Sequence, residues 1–257
     1  MKVLDLGDIY GITASSVENR MKPRPVPNKK DVDDPYVLAL IPAYNEERHI
    51  ADVVTATRLR LPVLVVDDGS TDRSAARAET AGAQLLRQSP NQGKGAALRA
   101  GFRYAIEKNF QAVVTLDADG QHDPAEIPKF IHRYQQAPAD LIIGARDFSK
   151  IPLVRRLTNT FGRWSFSWAL GQPDQDNQSG YRLISRRMIE AMLSSQEVGF
   201  EFEVEMIVVC VQCGYTLDWV PIRTIYAGER SHINPLRHTI HYFRMLWQTR
   251  QRMRSRR

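Results

Sequence analysis

Residues 36–47 read Tyr-Val-Leu-Ala-Leu-Ile-Pro-Ala-Tyr-Asn-Glu-Glu, residues 63–72 read Val-Leu-Val-Val-Asp-Asp-Gly-Ser-Thr-Asp, and residues 112–121 read Ala-Val-Val-Thr-Leu-Asp-Ala-Asp-Gly-Gln. Each begins as a short apolar run and breaks off in polar, turn-forming residues. Apolarity that is continuous rather than alternating belongs to strands covered on both faces. Amphipathic stretches of helical length separate these runs. The expected order is strand Val37–Ile41, helix Glu46–Leu59, strand Val63–Val66, helix Ser70–Ala81, strand Gln84–Arg87, helix Lys94–Lys108 and strand Ala112–Leu116. That alternation predicts an α/β domain with a mostly parallel sheet and helices on both faces. Ligands of such open sheets bind beyond the carboxyl ends of the strands. Three acid-bearing stretches start there, at Pro42, Asp67 and Asp117.

The rest of the chain is consistent with one such domain. Its 257 residues, 43% hydrophobic and 25% charged, suffice for a full core. No apolar run approaches the ~20 residues that span a bilayer. Residues 1–20 lack a basic start followed by an apolar stretch, so secretion and membrane spanning are not expected. Two cysteines are too few for a disulfide scaffold and point to a reducing compartment. Cys210 and Cys213 have CxxC spacing but no second ligand pair, and beside the apolar run 206–211 both are expected to be helix-core thiols.

Charge is unevenly placed. The net is +6, yet residues 222–257 carry nine arginines against Glu229, which leaves the remainder at −2. A near-neutral body with a basic tail predicts a polyanionic surface as partner. From Ile233 onward, Leu236, Ile240, Phe243 and Trp247 recur at steps of three and four, with Arg237, His241, Arg244 and Gln248 among them. Such a helix suits an anionic membrane rather than nucleic acid. Packing of the helix on the core is the other reading, and the two can hold for different faces. The chain divides into a flexible arm over 1–34, a domain over 35–232, and a basic amphipathic helix and tail over 233–257.

Asp117-Ala-Asp-Gly-Gln121 places two carboxylates and an amide where the fourth strand reaches the surface. An Asp-x-Asp pair alone is an ordinary turn composition. As an oxygen-only ligand set it suits Mg²⁺ or Mn²⁺ holding a nucleotide diphosphate. The adjacent His122 is expected behind or beside that set, since these cations prefer oxygen. Gly93-Lys94-Gly95 lacks the Gly-x-x-x-x-Gly-Lys-Ser/Thr spacing, and no Gly-x-Gly-x-x-Gly follows a strand, so ATPase and dinucleotide readings fall away. What remains is a tight loop that points Lys94 at a nucleotide, or a plain helix start. Asn45, Glu46 and Ser70 are candidate helix caps.

Seven stretches follow one another in order: Ile41–Glu47, Val65–Asp72, Asn91–Gly101, Asp117–Gln121, Gly144-Ala-Arg146, Asp176-Asn-Gln-Ser-Gly-Tyr-Arg182 and Gly199–Glu203. Together they resemble family 2 glycosyltransferases from about Tyr36 to about Leu246, and within that family the polyprenyl-phosphate (dolichyl-phosphate-type) mannosyl- and glucosyltransferases. The resemblance implies a single GT-A-like, Rossmann-like nucleotide-diphospho-sugar transferase domain. It assigns Pro42, Tyr44, Glu46, Val66 and Asp68 to the nucleoside, with Lys94 facing the same pocket. Asp117, Ala118 and Asp119 then meet the nucleotide-sugar, and Asp119 with Gln121 holds the metal. Arg146, Arg155, Arg156, Asn159 and Arg182 fall to an acceptor phosphate, whose shape suits the planar guanidinium fork. Glu201 and Glu203 line the pocket or tie Arg182 in place.

The implied activity is inverting, metal-assisted transfer of a hexose from GDP-mannose or UDP-glucose to a polyprenyl phosphate. It would occur at the cytoplasmic face of a membrane, with the protein peripheral to it. Asp119, Arg146 and Asp176 are the catalytic candidates. A phosphate acceptor is already an anion and needs cations rather than a base. A sugar or other hydroxyl acceptor would instead use Asp176 as base. A non-catalytic nucleotide-sugar or polyanion-binding protein is the remaining alternative. The aromatic stripe Leu157, Phe161, Trp164 and Trp168 reads either as core or as membrane-interface contact. One departure from the relatives stands out: an arginine followed by Gly-Glu-Ser-Lys is replaced here by Tyr226-Ala-Gly-Glu-Arg-Ser-His232, which leaves Arg230 and His232 to contact the diphosphate.

Overall fold

The computed structural model describes residues 36–146, 153–195, 201–223, 225 and 246–254, with backbone only at 153–159 and 161. The arm over 1–34 and the helix expected from 233 to 245 lie outside the described residues. Strands are β1 (Val37–Ala43), β2 (Val63–Asp68), β3 (Gln84–Gln88), β4 (Ala112–Thr115), β5 (Leu141–Arg146), β6 (Arg182–Ser185) and β7 (Leu217–Ile222). Helices are α1 (Ile50–Arg58), α2 (Ser74–Thr80), α3 (Lys94–Glu107), α4 (Ile127–Gln136), α5 (Leu153–Leu170), α6 (Arg186–Met192) and α7 (Glu201–Gln212). A last helix, α8, covers 246–254. The sheet order is β3-β2-β1-β4-β6-β5-β7, with β6 antiparallel to both of its neighbours and every other pair parallel.

Side chains that alternate along each strand divide the core into two layers. Val37, Ala39 and Ile41 of β1 and Val63 and Val65 of β2 join one cluster, closed by Ile50, Val54 and Phe130 from α1 and α4. Leu38 and Leu40 of β1 and Leu64 and Val66 of β2 join the other, closed by Phe102, Phe166, Met188 and Phe202 from α3, α5, α6 and α7. This double coverage is why the strands read as unbroken apolar runs, each fully buried Val, Leu or Ile contributing about 1.5–3 kcal/mol. Helix α3 lies especially close to the sheet. A Cβ on Gly101 would stand 2.3 Å from a Leu40 methyl, so only glycine fits there.

The helices begin later than the pattern implied. α1 starts at Ile50 and α2 at Ser74, because the residues before them hold the two loops to each other. Ser70 accepts from the Asn45 amide (2.9 Å) and Ser74 from the Glu46 amide (2.7 Å), while Asn45 Oδ1 accepts from the Thr71 amide (2.9 Å). Neither Ser70 nor Asn45 is a helix cap; both act across the sheet end. At the opposite end, buried Asp140 collects Arg187, Ser185 and the Thr216 amide and hydroxyl, which ties β5, the β6–α6 junction and β7 together.

Helix α8 packs Leu246 and Thr249 into the body and exposes Trp247. Arg252 holds it there through Glu205 (2.8 Å) and Gln212 (3.0 Å) of α7. Core packing and an outward aromatic face thus coexist on one helix. Of the two cysteines only Cys210 is a core thiol, its pKa pushed up by burial; Cys213 lies past the end of α7 and is exposed. No described helix is long and apolar enough to cross a membrane.

Candidate active site

The carboxyl ends of β1, β2, β4 and β5 open on one edge of the sheet, and because β6 runs the other way its amino end, with the loop 176–181 before it, joins them. An antiparallel strand thereby adds a fifth loop to a site that a purely parallel sheet would build from strand ends alone. Thr115 in β4 donates to the Gly180 carbonyl (2.7 Å), which fixes that loop against the Asp-Ala-Asp turn.

On the β2 side, both oxygens of buried Asp68 accept backbone amides, from Gln92 (2.8 Å) and Gly93 (2.7 Å). Asp68 therefore anchors the loop that launches α3 at Lys94. Val66 is wholly buried in the second core layer, so its side chain is withdrawn from the expected nucleoside set. Tyr44, just past β1, is exposed and Pro42 is partly so.

In the centre, Lys94 Nζ lies 2.6 Å from Asp117 Oδ1 and 2.9 Å from Glu203 Oε1. Burial alone would lower the lysine's pKa, but Asp117 and then Glu203 reverse the shift and raise it above the usual range. Burial, the largest single influence, pushes Asp117 upward, and Lys94 together with the other positive groups around the carboxylate outweighs it and holds it at about 2. The turn is supported from behind by His122, which is buried and accepts the Asp117 amide at Nδ1 (2.9 Å) while its ring rests on Tyr181 (4.9 Å). Burial lowers its pKa, so it is a neutral prop.

Asp119 is half-buried, and its Oδ1 accepts the Gln121 backbone amide (2.9 Å), which closes the turn that carries both residues. Burial raises its carboxyl above the ordinary value, the environment a bound cation would relieve. Among the described residues no group of three or more His, Cys, Asp or Glu could hold a metal ion. Two oxygen donors without a closed cage fit a cation that takes its other ligands from a diphosphate and water. The Ile225 amide donates to the Gln121 carbonyl (3.0 Å), so the chain leaving β7 passes the same corner. Arg230 and His232 beyond it lie outside the described residues.

At the end of β5, Arg146 grips Asp176 with Nε (2.7 Å) and Nη2 (2.9 Å), a two-pronged pair in which Asp176 is only 2% exposed and Arg146 25%. The carboxylate is committed to this pair. Arg182, expected at an acceptor phosphate, is corrected here. It is 1% exposed and gives its donors to the carbonyls of Ser179 (2.7 Å), Asn177 (3.2 Å) and Glu203. Its work is to brace the loop from inside. Arg155, Arg156 and Asn159 sit on α5, with their side chains outside the described residues.

Gly180 emerges as a site residue that spacing does not disclose, and Glu203, expected to line the pocket or tie Arg182 in place, pairs with Lys94 and offers its carbonyl to Arg182. A Cβ on Gly180 would stand 2.7 Å from Glu203 Oε1, 3.1 Å from Asp117 Oδ2 and 3.2 Å from Lys94 Nζ. Gly180→Ala is expected to displace this cluster and lower kcat/KM by about a hundredfold with little change in melting temperature. Steady-state kinetics beside a thermal melt would check this.

Asp174, in the same loop as Asp176, is buried. Burial, then the charge of Asp176, pushes its pKa up to about 7. A carboxyl raised on folding stabilises at low pH, and that contribution is lost as pH rises from the unfolded value near 4 through about 7. Between about pH 5 and pH 8 the Asp174→Asn variant should therefore lose less stability than the parent, by on the order of 2 kcal/mol. Denaturant titrations at both pH values measure the difference, and equal losses would refute it.

The sequence profile of Glycosyl transferase family 2 matches residues 39–192. The undecaprenyl-phosphate mannosyltransferase of Micrococcus luteus is 31% identical over 204 residues, covering 72% of this chain and 82% of that protein. Glycosyltransferase AglJ of Haloferax volcanii is 34% identical over 212 residues, covering 78% and 67%. Among solved structures, glucosyl-3-phosphoglycerate synthase from Mycobacterium tuberculosis in complex with Mn²⁺, uridine diphosphate and phosphoglyceric acid superposes with a TM-score of 0.63 at 18% identity, covering 91% of this chain and 84% of that one. The GT-A-like architecture expected from the motifs is therefore the one observed. With the profile spanning more than half of its length, the chain belongs to glycosyl transferase family 2.

Proposed function

We propose that this glycosyltransferase moves a hexose from a nucleotide-diphosphate sugar, GDP-mannose or UDP-glucose, to a polyprenyl phosphate at a membrane surface, with inversion at the anomeric carbon. Family membership sets aside the non-catalytic alternative. Support for the acceptor comes from relatives named for undecaprenyl phosphate and polyprenol, the latter the polyprenol monophosphomannose synthase of Mycolicibacterium smegmatis, 29% identical over 72% of this chain.

The observation that carries the reading is the Arg146–Asp176 pair. Asp176 spends both oxygens on Arg146, so it orients a cation instead of waiting for a proton. A lipid phosphate needs that arrangement and a sugar hydroxyl does not. In the proposed displacement a phosphate oxygen of the acceptor bonds to the anomeric carbon, and the bond from that carbon to the donor diphosphate breaks. The electron pair leaves with the diphosphate, and no proton moves. A divalent cation, Mg²⁺ or Mn²⁺, would offset the charge on that leaving group, with Asp119 and Gln121 as its protein ligands. Lys94 would turn from Asp117 and Glu203 toward the diphosphate. Pro42, Tyr44 and Glu46 line the nucleoside end, and Asp117 and Ala118 the sugar end.

The test is an acceptor panel with labelled donor and Mn²⁺: polyprenyl phosphate, the corresponding polyprenol, and soluble glycans. Product from the phosphate alone is expected. Transfer to an alcohol or glycan that depends on Asp176 would select the hydroxyl-acceptor reading instead.

A further inference from the structure

Three of the four tryptophans lie on one face of the molecule. Trp164 and Trp168 of α5 are 67% and 55% exposed, and Trp247 of α8 is 62% exposed. Between the two helices they border a cavity of about 630 Å³, which Arg250 and Arg254 also line and, among the described residues, no acidic one does. Arg250 lies over the Trp168 ring (4.9 Å) and donates to the Trp168 carbonyl (3.0 Å), so the two helices share one surface instead of presenting two. Large aromatic side chains this exposed usually mark a contact surface.

We propose that this face docks the enzyme on an anionic phospholipid bilayer. Tryptophan favours the headgroup level, where its ring is apolar and its N–H is wet. Guanidinium groups alongside it would meet lipid phosphates, and residues 222–257 add to the same sign with nine arginines against one glutamate. A second copy of the chain is the less suitable occupant. A self-complementary dimer across this face would bring two copies of the Arg250 and Arg254 pair into one interface with no acid among the described lining residues. Docking serves the lipid-phosphate acceptor proposed above and rests on that reading for its purpose, while the observations behind it are those of the face alone.

The experiment uses the full chain with vesicles of phosphatidylcholine, alone or with phosphatidylglycerol, some carrying bromine on the acyl chains. Flotation should recover the protein with anionic vesicles, and brominated lipid should quench its tryptophan fluorescence. In a Trp164→Ser, Trp168→Ser, Trp247→Ser variant that still binds donor, the vesicle affinity should fall at least tenfold. Absence of quenching in the parent protein, equal vesicle affinity in parent and variant, or a dimer that the variant loses would each overturn the proposal. Transfer to detergent-dispersed polyprenyl phosphate, measured in parallel, separates the two readings. Transfer without vesicle binding overturns docking alone, and vesicle binding without transfer overturns the acceptor alone.

Discussion

Asp119→Ala is expected to lower kcat/KM about a thousandfold or more, and to do so without unfolding the protein. Asp119 supplies the charged member of a two-residue oxygen corner, and its Oδ1 also fixes the Gln121 amide at 2.9 Å. One substitution therefore removes one expected cation ligand and loosens the turn that carries the other. The fold gains nothing comparable from this carboxylate, whose ionised form is disfavoured by burial. The melting temperature should stay within about 2 °C of the parent. Asp119→Asn keeps an acceptor for the Gln121 amide and loses the charge, so it should fall between the two. Kinetics at saturating Mn²⁺ decide the matter; a variant that keeps a tenth of parental activity would remove Asp119 from the centre of the site.

Arg146→Ala should act on both function and stability. Asp176 is nearly inaccessible, and the guanidinium supplies two of its closest partners, at 2.7 and 2.9 Å. Removing one member of a buried pair strands the other charge, which costs about 3–5 kcal/mol. In a transfer assay the same variant should lose about a hundredfold or more in kcat/KM for the lipid phosphate while its donor affinity holds. Arg146→Lys retains the charge but not the two-pronged geometry, so it should recover part of the stability and little of the activity. Chemical denaturation together with donor titration distinguishes this from general damage, since donor binding should survive in both variants.

What was legible in the sequence follows from how locally each feature is encoded. β1, β2 and β4 are continuous apolar runs cut off by turn residues, and the observed strands begin where the runs do. β6 is four residues long with only Leu183 and Ile184 apolar, and its antiparallel placement between β4 and β5 comes from the packing of distant segments. Nothing in its composition announces that. Helix starts were misplaced because Ser70 and Asn45 are good caps in isolation but here bond across the sheet end to each other's loops.

The site divides in the same way. The Asp-Ala-Asp-Gly-Gln corner is a contiguous segment, and its internal geometry follows from adjacent residues. Pairings that span the chain are set by tertiary packing and leave no local signal. Lys94 was expected to face a nucleotide, and in this state it bridges Asp117 and Glu203. Arg182 has the chemistry of a phosphate ligand, yet burial and three carbonyl partners make it a brace, which only the folded loop reveals. Arg146 and Asp176 are separate candidates in the sequence; that they form one unit, and that the carboxylate is thereby spent, is a property of the folded geometry.

The most direct test of the account is a calorimetric titration of the full chain with GDP-mannose and with UDP-glucose, each with and without Mn²⁺. A site in which Asp119 and Gln121 offer an incomplete set of oxygen ligands predicts that one of the two donors binds and that its binding requires the cation. Binding that is indifferent to Mn²⁺, or no binding of either donor, would contradict it.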